Sequence, residues 1–243
     1  MSKKTSLKQF LMKTGSFERA EDCVAAIRSG TITINSKVVD NPSYFFNLEK
    51  SLVKMNNEKL KAIKKLYFIL NKPSGYLSQK AESEKTIYEL LNKLNLSKEE
   101  LQSLFAVGRL DKDTEGLMIV TNDGSLSNVI MDPESDMPKR YYAALEKPIN
   151  RESVKLIEKG VVIETDEGKY KTKKCRIKMK SGKEIYISIT EGRKRQVRNM
   201  LEAIGNKVAY LKRVSIGGLQ LGNLKVGEIR EIGKEEIMEK LEF

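Results

Sequence analysis

The sequence predicts a chain of two domains, each built from both helices and strands. The chain has 243 residues, enough for one large domain or two smaller ones. Residues 7–55 contain helix and strand patterns of their own, and the polar, basic segment 56–65 follows them as a predicted linker. Beyond Leu66, short helices and apolar strands are interspersed along the chain. We therefore expect domains at about 1–60 and 61–243.

The charge of the chain indicates an anionic partner. Lysine and arginine number 45 against 33 aspartates and glutamates, which gives a net charge of +12. Such an excess favours nucleic acid as the first candidate and a membrane surface as the second. No apolar run approaches the length of a membrane-spanning helix, and the polar N-terminus does not resemble a signal peptide. Cytoplasmic residence is the resulting expectation, and we expect a monomer.

The chain contains no histidine. This excludes the usual general base, the commonest metal ligand and every catalytic triad that depends on histidine. A zinc-dependent nucleobase deaminase is excluded for the same reason. Cys23 and Cys175 lie far apart and lack the spacing of metal ligands, so both are expected to be buried, reduced thiols. Any chemistry must depend on carboxylates, lysine, arginine or tyrosine, and neither a metal nor a cofactor is expected.

The N-terminal segment predicts a small unit of two helices followed by strands. Leu7, Phe10 and Leu11 share one helical face, and a second helix is predicted at 16–29. Residues 31–34 alternate as a strand.

The second domain mixes strands and helices along its whole length. Predicted strands lie at 66–70, 117–120, 139–145, 208–216 and 224–232, a hairpin at 170–190, and helices at 86–94, 97–104, 123–131, 151–159, 191–205 and 234–241.

The first arm of the predicted hairpin carries cations on one face. Lys174, Arg176, Lys178 and Lys180 alternate with Cys175, Ile177 and Met179. A face of this kind is either simply solvated or part of a surface that binds a phosphate backbone.

Basic residues also occupy the start of the helix predicted from residue 191. Arg195 and Arg198 are three residues apart and share a face, with Arg193 just before them. Cations in a first turn oppose the helix dipole, so these arginines are better explained by function than by helix stability.

A loop rich in carboxylates precedes the predicted strand 117–120. Asp111, Asp113 and Glu115 follow Arg109 in the stretch VGRLDKDTEGLMIVTNDG. The spacing partly fits a calcium-binding EF-hand, but Asn122 stands where the bidentate glutamate is required, so we reject calcium. A solvated turn and a reactive loop at the mouth of a strand remain as alternatives.

Four segments together resemble the RsuA-like family of ribosomal RNA pseudouridine synthases. The N-terminal unit resembles the S4-like RNA-binding domain. It is followed, in the order of the family, by Asn-Lys-Pro-Ser-Gly at 71–75, Gly-Arg-Leu-Asp at 108–111 and Glu-Gly-Arg-Lys-Arg-Gln-Val-Arg at 191–198. The resemblance implies an α+β catalytic domain with a mixed, largely antiparallel central sheet. It also implies conversion of uridine in RNA to pseudouridine without metal or cofactor.

The resemblance assigns roles to individual residues. Asp111 matches the catalytic aspartate, Arg109 the residue that helps to hold the target nucleotide out of its stack, and Tyr141 the tyrosine that packs on the flipped base. Arg198 matches the arginine that pairs with the aspartate, so we expect it within hydrogen-bonding reach of Asp111. Residues expected to bind RNA are Lys72, Lys174, Arg176, Lys178, Arg193 and Arg195.

The implied reaction is compatible with these residue types. An ionised carboxylate either attacks the anomeric carbon of the ribose or removes the neighbouring proton, and the sequence leaves both open. A stacked uridine is out of reach until it is flipped, and an aromatic ring then retains the free base. The expected partner is ribosomal RNA or an assembling ribosomal particle. The alternatives are a non-catalytic RNA-binding assembly factor and an enzyme that cleaves a glycosidic bond with two carboxylates.

Overall fold

The computed structural model describes residues 4–17 and 19–241, which form two compact units. One unit comprises Met1–Leu66 and Asn92–Phe105, and the other comprises Tyr67–Leu91 and Ala106–Phe243. The sequence predicted that Asn92–Phe105 belongs to the second domain. In the structure this segment packs in the first unit. Gly15 permits this packing, because a Cβ atom at that position would lie 2.3 Å from the backbone oxygen of Glu99.

The helices and strands of the described residues have the following bounds. The strands are β1 (Lys4–Ser6), β2 (Ile32–Ile34), β3 (Lys37–Val38), β4 (Phe45–Asn47), β5 (Val53–Met55), β6 (Glu58–Lys59), β7 (Tyr67–Lys72), β8 (Phe105–Val107), β9 (Glu115–Thr121), β10 (Lys139–Leu145), β11 (Val162–Thr165), β12 (Gly168–Lys171), β13 (Arg176–Met179), β14 (Glu184–Ile189), β15 (Val208–Ile216), β16 (Leu219–Gln220) and β17 (Ile229–Glu231). The helices are α1 (Leu7–Met12), α2 (Ala20–Arg28), α3 (Ile87–Leu91), α4 (Lys98–Ser103), α5 (Gly124–Met131), α6 (Arg151–Glu158), α7 (Gln196–Glu202) and α8 (Lys234–Leu241).

The first unit packs α1 and α2 on small antiparallel sheets. Ser6 caps α1 by accepting a hydrogen bond from the backbone N–H of Gln9 at 3.3 Å. The buried core consists of Leu7, Phe10, Leu11, Cys23, Ile27, Ile32, Ile34, Phe46 and Val53. Apolar burial by two short helices against the strands is therefore the main stabilising contribution in this unit.

The predicted linker at 56–65 begins instead as a hairpin. Strands β5 and β6 pair antiparallel, with Met55 opposite Glu58. Asn56 and Asn57 between them have φ values of +49° and +69°. Asparagine is one of the few residues that tolerate two successive positive φ values, which a tight hairpin turn requires. The polar residues at the start of this segment therefore form a hairpin turn.

The second unit is organised around one large mixed sheet. Its strands lie in the order β13-β14-β10-β15-β9-β7-β17, with β16 paired to β15. Among these pairs β15 and β9 run parallel, and the others are antiparallel. The predicted mixed, largely antiparallel sheet and the α+β class are confirmed. Gly116 permits the parallel pairing, because a Cβ atom there would lie 2.2 Å from the backbone oxygen of Arg213.

Three elements of the second unit differ from their predicted bounds. The hairpin arm predicted from residue 170 begins at Arg176, because the preceding residues of β12 pair with β11. Helix α7 begins at Gln196 and not at 191, because Arg195 has a left-handed backbone with φ of +52°. The predicted strand 224–232 is formed only at Ile229–Glu231, since Gly227 has φ of +79° and turns the chain.

Helix α8 covers part of this sheet, and its Ile237 and Leu241 lie in the same buried cluster as strand residues Ile119 and Ile216. Within the part of the chain that the structure describes, no helix is long and apolar enough to cross a membrane.

Candidate active site

A row of paired residues crosses the large sheet on one face. Lys72 on β7 is opposite Gly116 on β9, Gly116 is opposite Arg213 on β15, Arg213 is opposite Tyr141 on β10, and Tyr141 is opposite Ile187 on β14. Side chains of directly paired residues project to the same face of a sheet. The row therefore places two cations and the predicted base-stacking tyrosine on a common face, with a glycine between the two cations.

The loop that carries Asp111 lies on this face. The Thr114 N–H donates to the carbonyl oxygen of Asp111 at 3.0 Å, which closes a tight turn. The Lys72 ammonium donates to the carbonyl oxygens of Pro73, Lys112 and Thr114, at 2.9, 3.2 and 2.9 Å. A cation that projects from the sheet thus holds the backbone of the loop from beneath.

Lys72 was predicted to bind RNA, and that prediction is wrong. Its side chain is fully buried, and its three ammonium protons are used by three carbonyl oxygens. Burial lowers the pKa of Lys72 to about 8, although the negative charges of Asp113, Glu115 and Asp111 oppose this shift. The residue anchors the loop and is not available to a phosphate.

Two further groups fix the same loop. The Gly75 N–H donates to the carbonyl oxygen of Lys112 at 2.7 Å. The Ser78 hydroxyl donates to the carbonyl oxygen of Leu110 at 2.7 Å and accepts from the N–H of Leu110 at 3.0 Å. Ser78 is buried and was not singled out in the sequence, because no local pattern there indicates a partner 32 residues away.

Asp111 and Arg109 remain available at the surface of the site. Asp111 is half-buried and Arg109 is exposed. Within residues 4–17 and 19–241, neither side chain takes part in a hydrogen bond or ion pair. The described residues also contain no group of three or more carboxylate, cysteine or histidine side chains that could hold a metal ion.

Arg198 was predicted to pair with Asp111, and the structure pairs it with Asp113 instead. Its guanidinium forms an ion pair with a carboxylate oxygen of Asp113 at 3.2 Å and donates a hydrogen bond to the backbone oxygen of Asp113 at 3.1 Å. A third bond reaches the backbone oxygen of Val208 at 3.0 Å. Arg198 is 7% exposed in the first turn of α7, and from there it meets the loop two residues beyond Asp111. Its contacts fix the path of the loop.

The two neighbouring carboxylates are each engaged. Asp113 also accepts from Arg195 at 3.2 Å, and Glu115 accepts from the Tyr210 hydroxyl at 2.5 Å. Burial, together with this hydrogen bond, raises the pKa of Tyr210. The three acidic residues therefore differ: two hold the loop to the surrounding strands and helix, and Asp111 does not.

Tyr141 and Arg213 form the floor of the site. Tyr141 is 8% exposed and Arg213 is 3% exposed. The Arg213 Nε–H donates to the carbonyl oxygen of Leu117 at 2.7 Å, which ties β15 to β9. Burial lowers the pKa of Lys139, and the positive charge of Arg213 lowers it further. No local pattern in the sequence indicates Arg213, because its place in the site depends on the pairing of β15 with β9 and β10.

The basic segment before α7 is engaged with acidic side chains. Arg193 forms an ion pair with Glu167 at 3.0 Å, and Lys194 forms one with Asp166 at 3.0 Å. Both acids lie at the tip of the β11–β12 hairpin. The Arg193 guanidinium also stacks over the Tyr170 ring at 3.7 Å from its centroid.

The basic residues of the predicted hairpin do not lie beside the Asp111 loop. Lys174, Arg176 and Lys178 are exposed, and Lys178 on β13 is opposite Tyr186 on β14. Because Tyr186 is opposite Tyr142 and not Tyr141, Lys178 lies on the other face of the sheet, and Arg176, two residues before it on β13, lies on the same face as Lys178. The structure therefore separates the predicted RNA-binding residues into two groups.

Known proteins resemble this chain over most of its length. The family model of the RNA pseudouridylate synthases matches residues 66–203. Ribosomal large subunit pseudouridine synthase B of Bacillus subtilis is 33% identical over 87% of this chain and 85% of its own length. Ribosomal small subunit pseudouridine synthase A of Escherichia coli is 32% identical over 87% of this chain and 89% of its own length.

A solved structure also resembles this chain over most of its length. A crystal structure of a pseudouridylate synthase superposes with a TM-score of 0.68 at 30% identity, and the match covers 98% of this chain and 99% of that one. The Asp111 loop and Tyr141 thus belong to a chain whose sequence and fold both match these enzymes. The chain is an isomerase and belongs to the RsuA-like family of RNA pseudouridine synthases.

Proposed function

We propose that this enzyme converts a uridine of ribosomal RNA to pseudouridine, with Asp111 as its catalytic carboxylate. The observation that carries the proposal is the difference among the three acids of the loop. Asp113 and Glu115 are bonded to neighbouring side chains, whereas the half-buried Asp111 carboxylate has no such partner among the described residues. A loop anchored at several backbone atoms presents that carboxylate with little freedom, which is the pre-organisation catalysis requires.

The proposed reaction uses three side chains in sequence. Arg109, exposed beside the loop, takes the place of the uridine in the RNA stack, and the flipped base is retained against Tyr141. Asp111 then attacks the anomeric carbon of the ribose or removes the adjacent proton, and the glycosidic C–N bond breaks. The freed uracil rotates and its carbon 5 bonds to the anomeric carbon, while the bond from Asp111 to that carbon breaks or Asp111 returns the proton to the ribose. The proton on carbon 5 is then lost and N1 takes up a proton, so that the overall reaction is an isomerisation.

Ribosomal RNA is proposed as the substrate because of the relatives and the charge. Both relatives described above have names that refer to a ribosomal subunit. The net charge of +12 favours a polyanion. We further propose that the first unit is an S4-like RNA-binding domain, and that the enzyme acts as a cytoplasmic monomer on ribosomal RNA or on an assembling particle.

Purified enzyme and ribosomal RNA transcripts test this proposal. Wild-type protein should form pseudouridine, detected by carbodiimide labelling and primer extension. Asp111→Asn should bind RNA as well as wild type and form none. Asp113→Asn is the matched control: it should retain part of the activity, because it weakens the loop without removing the reacting group.

Two results would contradict the proposal. Pseudouridine formed by Asp111→Asn, free of wild-type enzyme, would remove Asp111 from its catalytic role. RNA binding by wild-type protein without any pseudouridine in either ribosomal RNA would favour a non-catalytic assembly factor.

A further inference from the structure

The face of the large sheet opposite Tyr141 carries a row of tyrosines and cations. Lys178 on β13 is opposite Tyr186 on β14, Tyr186 is opposite Tyr142 on β10, and Tyr142 is opposite Lys212 on β15. Each adjacent residue on β10 faces the other way, so Tyr141 is buried while Tyr142 is only half-buried. This row therefore lies on the side of the sheet away from the Asp111 loop.

Three tyrosine rings on this side form one continuous surface. The Tyr142 ring centroid lies 5.7 Å from that of Tyr186 and 6.1 Å from that of Tyr210. Both separations are within the range of direct aromatic contact. All three rings are half-buried, so part of each remains open to solvent.

Cations lie directly over two of these rings. The Arg140 guanidinium carbon is 4.5 Å from the Tyr186 centroid, and the Lys180 ammonium is 5.1 Å from the Tyr142 centroid. A planar guanidinium that covers an aromatic ring extends the stacking surface, because nucleobases stack on arginine planes as well as on rings. The arrangement thus combines stacking planes with positive charge.

The charge on this side is predominantly positive. Its basic residues are Arg140, Arg176, Lys178, Lys180 and Lys212. Its two acidic residues, Glu184 and Glu115, accept hydrogen bonds from the hydroxyl groups of Tyr142 and Tyr210. The hydrogen bond to Glu184, with burial, raises the pKa of Tyr142 to about 12. The carboxylates are therefore occupied and the cations outnumber them.

We propose that this reverse surface, formed by Arg140, Tyr142, Lys178, Tyr186, Tyr210 and Lys212, binds an unpaired segment of the RNA whose uridine enters the active site. The proposal rests on the proposed function. Unpaired bases stack on the tyrosine and arginine planes, and the lysines neutralise phosphates. Strand β10 is two strands from the sheet edge at β13, roughly 10 Å at ordinary strand spacing, so an RNA strand can reach both faces around that edge.

An RNA occupant fits this surface better than a protein does. A protein partner would need an apolar, well-packed centre from which charges are depleted. Here every ring is bordered by a cation or a carboxylate. Interleaved rings and cations are the usual composition of a surface for single-stranded nucleic acid.

Two variants test the stacking and the charge separately. Tyr186→Leu removes one ring and should weaken binding of an unpaired ribosomal RNA fragment by roughly 5- to 100-fold. Lys178→Gln removes one exposed cation and should make the salt dependence of binding shallower by about 0.7 in slope. Both should raise KM and leave kcat unchanged, because Asp111 lies on the other face.

Each variant has a matched control. Tyr186→Phe keeps the ring and should bind RNA like wild type. Lys159→Gln makes the same charge change at an exposed lysine at the end of α6 and should leave the slope nearly unchanged. Thermal melting of every variant separates lost binding from lost folding, and Lys178, being exposed, can be replaced without disturbing the core.

The possible results distinguish failure of the reverse surface from failure of the proposed function. Wild-type affinity and salt slope in both Tyr186→Leu and Lys178→Gln would overturn the reverse surface while leaving the proposed function intact. Normal binding to naked RNA combined with lost modification of assembling particles would also overturn it, since the surface would then dock a protein. Failure of the wild-type enzyme to bind or modify ribosomal RNA would instead refute the proposed function.

Discussion

Replacing Lys72 with methionine tests how the Asp111 loop is held. Methionine has a similar length and fills the buried space, but it cannot donate a hydrogen bond. The carbonyl oxygens of Pro73, Lys112 and Thr114 would each lose the donor that now lies 2.9–3.2 Å away. The loop that carries Asp111 would therefore lose its support from β7.

The magnitude follows from two opposing contributions. A hydrogen bond to a charged group contributes roughly 1.5–3 kcal/mol, so the three bonds of Lys72 together contribute on the order of 5–9 kcal/mol. Burial lowers the pKa from 10.5 to about 8, which corresponds to roughly 3 kcal/mol against the charged form. Removing the ammonium recovers that cost. The net decrease in unfolding free energy at pH 7 should be roughly 2–6 kcal/mol.

The pH dependence has a definite sign. The folded pKa of Lys72, about 8, lies below the unfolded value of 10.5, so the unfolded chain binds more protons between these pH values. The contribution of this group to stability therefore rises with pH through that window. Lys72→Met lacks the group, so the difference from wild type should widen by about 2 kcal/mol between pH 7 and pH 9.5.

Urea unfolding at both pH values measures the stability difference, and amide hydrogen exchange measures local opening of the loop. The N–H of Gly75, which donates to the backbone carbonyl oxygen of Lys112, should exchange faster in the Lys72→Met variant. Pseudouridine formation by this variant should fall more than its RNA affinity. Lys112→Met is the control, because Lys112 is exposed and its loss should change stability by no more than about 0.5 kcal/mol. Equal unfolding free energies for wild type and Lys72→Met, with undiminished activity, would refute the reasoning.

Two further predictions concern the basic residues around the loop. Arg198→Ala should lower kcat more than it lowers RNA affinity, because Arg198 contacts the Asp111 loop. Arg198→Lys should recover only part of kcat, because lysine lacks the planar guanidinium that binds the loop. Equal losses in kcat and affinity would contradict this prediction. Asp166→Asn combined with Glu167→Gln should free two cations from exposed ion pairs, tighten RNA binding and steepen its salt slope by about one to two. Glu146→Gln with Glu239→Gln makes the same charge change at exposed positions and should have a smaller effect; equal effects would show that net charge alone decides.

The sequence by itself determined most elements and the motif that contains Asp111. Strands at Lys139–Leu145 and Val208–Ile216 and the helix Lys234–Leu241 have their predicted bounds. Their periodicity and boundaries depend on residues close together in the chain, so a local pattern is sufficient to define them. The mixed sheet followed from the family resemblance, and the structure confirms it.

The tertiary structure decided which partners the charged residues reach. Lys72 was expected at the surface and is buried, because β7 pairs with β9 and directs its side chain beneath the Asp111 loop. Arg198 was expected to meet Asp111 and instead forms an ion pair with Asp113, from the first turn of α7. Arg213 became part of the site only through the parallel pairing of β15 with β9. These contacts join residues 40 or more positions apart, and strand register, which no local pattern encodes, determines which of them form.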